Sequence, residues 1–435
     1  MKTQTKKGFT IVELVIVIAI IAILAAVLIP TFSNLIRRAN ESADIQAVRQ
    51  MNTYLAINEI TEGKTIIDVY TAFENGGMTA KNYKPMVSGR YYFWDMAANR
   101  IIYAEYNTTS KKYDVIFPED YTKQGQWFSL TDDIEKESYG TPTVDDGTAT
   151  INISTGGQLA KLVSDLKDIT EGRTGVLEGC NFESGITSGI KQLKGNIVIN
   201  LTNDIDLGGA SFNINLKDAN FTLNGNGYTL SGICNATGFA ESSNNSAGIT
   251  SEYGAAIVGY ATNSNITFEN VKIKDSYFGS EKVKASAVFV GQAVIENSTT
   301  QSTGTVTFKN TTVENCTVKG KKGVAIYVGH SNPIFANNTL EIKFDGSNTA
   351  TNCYAEAYDT GSEGLIGIIT GRTTLGNGNN TAKLTLTGPA PIVNNITMKS
   401  RGKELNYWYV TNNSGTGTGV ESYNGTTVEL TNTNN

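Results

Sequence analysis

Histidine is almost missing from this chain of 435 residues: His330 is the only one. A lone histidine with no identifiable acid partner suits a structural or solvated place better than acid–base or metal chemistry. Cysteine is scarce too, with Cys180, Cys234, Cys316 and Cys353 and no Cys-x-x-Cys pair, so a zinc-type site lacks its usual spacing. An even count would permit disulfides of three possible connectivities were the chain exported. Small buried hydrophobes are the preferred alternative for all four. Positive charge is not in excess. Lysine and arginine number 35 against 41 acidic residues, a net charge of −6, which argues against a nucleic-acid partner. Nor is there a recognisable pair of facing carboxylates for glycoside hydrolysis. Asp145-Asp146 sit in a Gly/Pro/Thr stretch typical of solvated turns. Asp204 and Asp206 alternate along one strand and are a candidate cation site, so a metal stays an open question. No cofactor is expected, and an enzyme is disfavoured.

What the chain has in quantity is one apolar run. From Phe9 to Ile29 almost every residue is apolar, the main exception being Glu13. About 20 such residues, at about 1.5 Å each, cross a hydrocarbon layer of about 30 Å. A carboxylate inside costs roughly 2–3 kcal/mol and needs a partner or a function. An ordinary anchor tolerates such a residue near its end. A secretory signal would end at small residues such as Ala25-Ala26, but its apolar region is shorter and lacks an acid.

The residues Lys6-Lys7-Gly8-Phe9-Thr10-Ile11-Val12-Glu13-Leu14, with Lys2 upstream and Pro30 downstream, resemble the cleavage and methylation motif of type IV prepilins. The resemblance implies a role for each position. Gly8 is the last residue of a leader spanning 1–8, removed by a prepilin peptidase and methylase. Phe9 is the new N-terminus, with a methylated amine. Glu13 pairs with that amine, its own or a neighbouring subunit's, since two buried charges offset their desolvation only when close. Pro30 lies where these helices usually carry a proline, and should kink the helix by removing a backbone donor. The basic leader favours a cytoplasmic N-terminus, with the rest translocated.

Beyond Pro30, Phe32, Leu35, Ile36, Ala39, Ala43, Ala47, Val48, Met51, Tyr54 and Leu55 recur at helical steps, with Arg37, Glu41, Asp44 and Arg49 expected on the opposite polar face. One helix is predicted over 9–60, membrane-spanning over 9–30 and amphipathic over 31–60. A head follows over 61–140. It begins with a short helix from Thr65 to Glu74 closed by Gly76-Gly77. The runs Arg90–Trp94, Ile101–Tyr106 and Lys112–Phe117 predict a three-stranded antiparallel meander. This order of elements resembles a pilin or pseudopilin head. Residues 141–150 read as a linker after an irregular stretch.

From Ala149 the composition turns to Asn, Thr, Gly and Ser with Val and Ile between. A helical spacing recurs at Leu159, Leu162, Val163 and Leu166, followed by strand-like runs. Phe268-Glu269-Asn270-Val271 and Phe308-Lys309-Asn310-Thr311 start matching segments, and apolar runs ending in Gly259, Gly291 and Gly329 also repeat. Such degenerate repeats indicate a solenoid with apolar residues filling its bore and Asn/Gly at its corners. One repeat corresponds either to one coil or to two short ones. An array of immunoglobulin-like sandwiches is the alternative, and should repeat at about 100 residues. The short helix followed by these strands resembles the right-handed parallel β-helices of the pectate-lyase-like superfamily. The expected fold is therefore an α+β pilin-like N-terminal part, then an all-β region over 151–435.

The expected function is a type IV pilin-like filament subunit, minor or tip-located, held in membrane lipid before assembly and afterwards part of an extracellular filament of pilin subunits. Its β region would display a surface for a glycan or surface-protein ligand. Tyr253, Tyr260, Tyr277, Tyr327, Tyr354, Tyr358, Tyr407, Trp408 and Tyr409 are candidate contacts, or fillers of the bore. A secretion pseudopilin and a membrane-tethered polysaccharide-active enzyme are the alternatives.

Overall fold

The computed structural model describes residues 11–60, 66–119, 121–131, 133–173, 177, 179–187, 189–235, 254–358, 365–375, 381–400, 402–413 and 416–431. A long N-terminal helix leads into a large, many-stranded β region. Helix α1 (Ile11–Ile57) continues through Pro30, and the Thr31 hydroxyl donates to the Val27 carbonyl at 2.9 Å. The helix ends where Glu59 turns left-handed (φ 49°), with the Ile60 N–H reaching back to the Leu55 carbonyl at 3.0 Å and the Glu59 N–H to that of Ala56 at 3.3 Å. This is a Schellman-type stop. Helix α2 (Ile66–Asn75) packs against α1.

The predicted meander is present as β1 (Arg90–Asp95), β2 (Arg100–Asn107) and β3 (Lys112–Phe117). The sheet has a fourth strand, β4 (Trp127–Ser129), antiparallel to β1 with Trp94 opposite Phe128. Three residues carry too short a pattern to reveal such a strand, and only pairing across more than thirty positions creates it. The stretch expected as a linker over 141–150 instead holds β5 (Thr143–Asp145) and the start of β6 (Thr148–Ile153), paired as a hairpin at the end of the next sheet. Helix α3 (Gly156–Thr170) follows, buried along Leu159, Leu162, Val163 and Leu166.

The remaining strands form four long ladders that the chain visits in turn, and one short parallel pair, Val324–Ala325 with Ile366–Gly367. One runs from β6 through Asn196–Leu201, Asn220–Asn224, Asn265–Glu269, Thr303–Lys309 and Thr339–Asp345 to Lys383–Thr387, all parallel. Thr229–Ser231, Lys272–Lys274, Thr312–Glu314 and Thr349–Thr351 stack in a second, and Tyr277–Phe278, Thr317–Gly320 and Tyr354–Ala357 in a third. The fourth includes Val258–Thr262, Val290–Ile295, Val328–Pro333 and Thr370–Thr373. Phe268 lies opposite Phe308, and Phe308 opposite Phe344, so one sequence repeat is one step of the ladder. Inward rings stack along that row: Phe268–Phe308 centroids are 5.9 Å apart at 7°, and Phe308–Phe344 5.3 Å apart at 25°. Antiparallel segments, Thr416–Val420 and Val428–Thr431, close two ladders at the C-terminal end. They shield the open edges a parallel stack leaves.

Asparagine and aspartate turn the corners. Asn270, Asn310, Asp275, Asn315, Asn352 and Asn395 all have φ between 48° and 53°. The left-handed region suits Asn and Asp because their short polar chains bond locally. Their amides also bond along the stack, as Asn310 Nδ2 to Asn270 Oδ1 at 3.2 Å and Asn395 Nδ2 to Asn352 Oδ1 at 2.8 Å. The repeated Gly259, Gly291 and Gly329 occupy one register row with Gly371. A Cβ on Gly291 would stand 2.4 Å from the Gly254 Cα, and one on Gly371 2.2 Å from the Val324 carbonyl oxygen. These glycines mark a close crossing of backbones.

The small antiparallel sheet has two apolar faces. Tyr92, Trp94, Ile101 and Tyr103 face α1 and α2, in one core with Val48, Met51 and Phe73. Phe93, Ile102, Ala104 and Trp127, on the alternate positions, join a core with Ile151, Leu159 and the inward residues of the ladders. Cys234 and Tyr277, from the ladders, belong to the first core, so the sheet and the parallel stack meet on both faces.

Candidate functional site

Helix α1 is two different objects end to end. Between Ile11 and Ile36 the large apolar side chains are each 46–82% exposed. Burying such a side chain stabilises by about 1.5–3 kcal/mol, so this surface requires lipid or another protein. The helix is long and apolar enough to cross a membrane by length and composition. Glu13 stands in its first turn and Pro30 within it. Gly8 and Phe9 lie outside the described residues.

Further along, the helix docks on the sheet through buried charge. Asp44, expected on the polar face with Glu41, is 2% exposed. Its carboxylate accepts from the N–H groups of Met86 (2.8 Å) and Val87 (3.1 Å), and from the hydroxyls of Tyr92 (3.1 Å) and Tyr103 (2.8 Å). Burial, then the Asp44 charge, pushes the Tyr92 hydroxyl well above the ordinary tyrosine range. Burial raises Tyr103 as well, against the Arg90 guanidinium that donates to it at 3.1 Å. Arg90 also pairs with Glu41 at 3.0 Å. Asn52 bonds both backbone groups of Ile101, at 2.8 and 3.2 Å. Helical periodicity missed this anchor, because a short acid at an inward position reads as a break in an apolar stripe. The strand aromatics with hydroxyls were the available signal.

The other sequence candidates fall into structural places. Asp206 accepts from Gln126 (2.7 Å), Lys123 (3.2 Å) and the Gly208 N–H (2.8 Å), and Asp204 from the Thr229 N–H at 2.7 Å. No cluster of three potential metal ligands occurs among the described residues. His330 is buried, its Nε2 2.9 Å from the Thr374 hydroxyl, and burial followed by the Arg372 charge lowers its pKa well below the usual range. Cys234, Cys316 and Cys353 are buried thiols not joined in disulfides, and Cys180 is half-buried. Tyr260, Tyr277, Tyr327 and Tyr409 are buried, whereas Tyr354, Tyr358, Tyr407 and Trp408 are half-exposed. Tyr253 lies outside the described residues.

A family model described as the prokaryotic N-terminal methylation motif matches residues 3–29. The chain is 35% identical over 88 residues to a fimbrial protein of Moraxella nonliquefaciens, covering 20% of this chain and 52% of that one. It is 42% identical over 68 residues to a fimbrial protein of Pseudomonas aeruginosa (16% and 44%). It is 67% identical over 39 residues to the type IV wide pilus major component PilA4 of Thermus thermophilus (9% and 30%). The chain thus spans about half the length of the first two of these curated relatives. No solved structure matches it. What these likenesses establish is a type IV pilin N-terminus, carried on a chain with a large β region.

Proposed function

We propose that this chain is a type IV pilin-like subunit, cut between Gly8 and Phe9 by a prepilin peptidase, methylated on Phe9, and built into a filament through α1. The observation that carries this is the helix itself, its large apolar side chains exposed from Ile11 to Ile36 and its later turns locked to a folded body through Asp44. In this reading Glu13 pairs with the Phe9 amine, and Pro30 lets the helix bend between lipid and filament packing. Residues 1–8 are the leader, 9–60 the helix with its span over 9–30, and 61–140 the pilin-like head. Residues 151–435 wind as a parallel β-helix, right-handed by analogy with the pectate-lyase-like superfamily. The four recurring parallel ladders support that winding.

The chain crosses the membrane once before assembly, its N-terminus cytoplasmic. A body this large crowds every position along a fibre, so we place the subunit at the tip, as a minor pilin displaying a recognition surface for a glycan or surface protein. We read it as structural and not as an enzyme. The test is intact-mass analysis of the surface protein. It should begin at N-methylated Phe9, and Gly8→Trp should leave the leader attached. A start after Ala25 or Ala26 would replace this reading with secretion by a signal peptide.

A further inference from the structure

Between the outer part of the antiparallel sheet, the 121–127 segment and the start of α3 lies a cleft of about 640 Å³. That is within the range of about 300–1,000 Å³ typical of small-molecule sites. Its walls carry five aromatic rings, those of Phe93, Tyr106, Tyr113, Tyr121 and Trp127. None of these was among the aromatics the sequence singled out as contacts. The rings are held rigidly. Tyr121 and the Trp127 indole both donate to Asp95, at 2.6 and 2.8 Å, and the Tyr113 hydroxyl accepts from the Glu135 N–H at 2.8 Å. Tyr106 donates to Glu137. Tyr113 packs edge-on against both Phe93 (4.7 Å) and Tyr106 (5.1 Å). With these polar tips engaged by the protein, the half-buried Tyr106, Tyr113 and Tyr121 offer a ligand mainly their π surfaces, while Phe93 and Trp127, 1% and 6% exposed, back them from the core.

The rim is charged on both signs but largely paired within itself. Lys123 meets Asp206 at 3.2 Å and lies over the Trp127 ring at 5.2 Å, while Lys111 meets Glu137 at 3.3 Å. An acidic ligand would have to displace these carboxylates from Lys111 and Lys123, leaving Lys112, among the described residues, as the one cation of the lining outside an ion pair. An acyl chain would bury them without replacing their lost water, which is costly. A neutral polyol fits both parts. Its C–H faces lie on the rings, and its hydroxyls both donate to carboxylate oxygens and accept from ammonium protons without breaking the pairs.

We propose that this cleft binds an uncharged oligosaccharide, with Tyr106, Tyr113 and Tyr121 against its pyranose faces and Lys112, Lys123, Glu135 and Asp206 on its hydroxyls. The assignment rests on the reading of the body as a displayed recognition module, and gives it a place and a ligand class. The test uses the purified full chain in a sugar-free detergent, titrated calorimetrically with maltohexaose, cellohexaose and N-acetylchitohexaose, with hexagalacturonate as the acidic comparison.

At least one neutral probe should bind saturably, and tighter than hexagalacturonate. Thr122→Trp, an exposed rim position whose new side chain fills the cleft, should weaken that binding about tenfold or more, roughly 1.4 kcal/mol per tenfold. On the unaltered chain, the same probe should slow amine acylation of Lys112 and Lys123, read by peptide mass, and leave Lys383 unaffected. Saturation by none of the neutral probes, preference for hexagalacturonate, or undiminished binding by folded Thr122→Trp would each overturn the assignment. Binding is read on purified chain and filament incorporation separately in sheared surface fractions. Absence of the chain from filaments would therefore defeat the subunit reading while the binding result stood.

Discussion

At the scale of single residues, buried carboxylates do the organising. Asp95 is fully buried and gathers six donors: the N–H groups of Ala97, Ala98, Gln124 and Gly125, the Tyr121 hydroxyl and the Trp127 indole. Burial acts to raise its pKa, but the hydrogen bonds from Tyr121 and the backbone outweigh it and hold the group below its ordinary 3.8. The stabilisation is therefore complete above that ordinary value and is lost as pH falls through the lower folded one. Thermal melts between about pH 6 and pH 2 should show a destabilisation on the acid side that Asp95→Asn diminishes. Asp95→Ala, which strands six donors, should cost about 3 kcal/mol or more at neutral pH. An unchanged acid limb in Asp95→Asn would assign the acid sensitivity to other groups.

At the scale of elements, α1 and the glycine row each make one sharp demand. Replacing Glu13 by Leu removes a charge from the apolar run, so membrane insertion should be intact or improved. On the proposed pairing with the Phe9 amine, incorporation into sheared filaments should fall with membrane levels matched, because leaving one member of a buried pair alone costs about 3–5 kcal/mol. Glu13→Gln should be intermediate, and cleavage at Gly8-Phe9 should continue in both. Wild-type assembly of the Leu variant would reduce Glu13 to a tolerated polar residue. In the parallel stack, Gly291→Val presses a side chain onto the Gly254 backbone, 2.4 Å from its first carbon. Overpacking of this kind costs about 1–3 kcal/mol, and denaturant titration should show a lower midpoint with an unchanged slope. An unshifted midpoint would mean that the two backbones separate freely.

At the scale of the whole molecule, the antiparallel sheet and the parallel stack share apolar cores through Phe93, Trp127, Cys234 and Tyr277. Calorimetry of the chain in detergent should therefore give one cooperative transition for both parts. Phe93→Ala, fully buried at the junction, should lower that transition as a unit by about 3–5 kcal/mol. Two transitions, only the first displaced, would show the parts unfolding independently.

The apolar run, its lone Glu13, the amphipathic spacing to Leu55, the three meander strands, α3 and the repeated strand segments were all legible locally. Each is a pattern within one segment, set by residue type and a period of 3.6 or 2. The row of glycines was legible as a repeat, though its cause, two backbones crossing, was not. What only the tertiary structure decided are the long-range pairings: β4 on β1, the hairpin in place of a linker, Asp44 turned inward, and the aromatic cleft. The cleft is made of rings whose positions along the strands promised nothing but core. Whether a ring ends in a core or on a cleft wall depends on what packs over it. That is a property of distant segments brought together, and no local period encodes it.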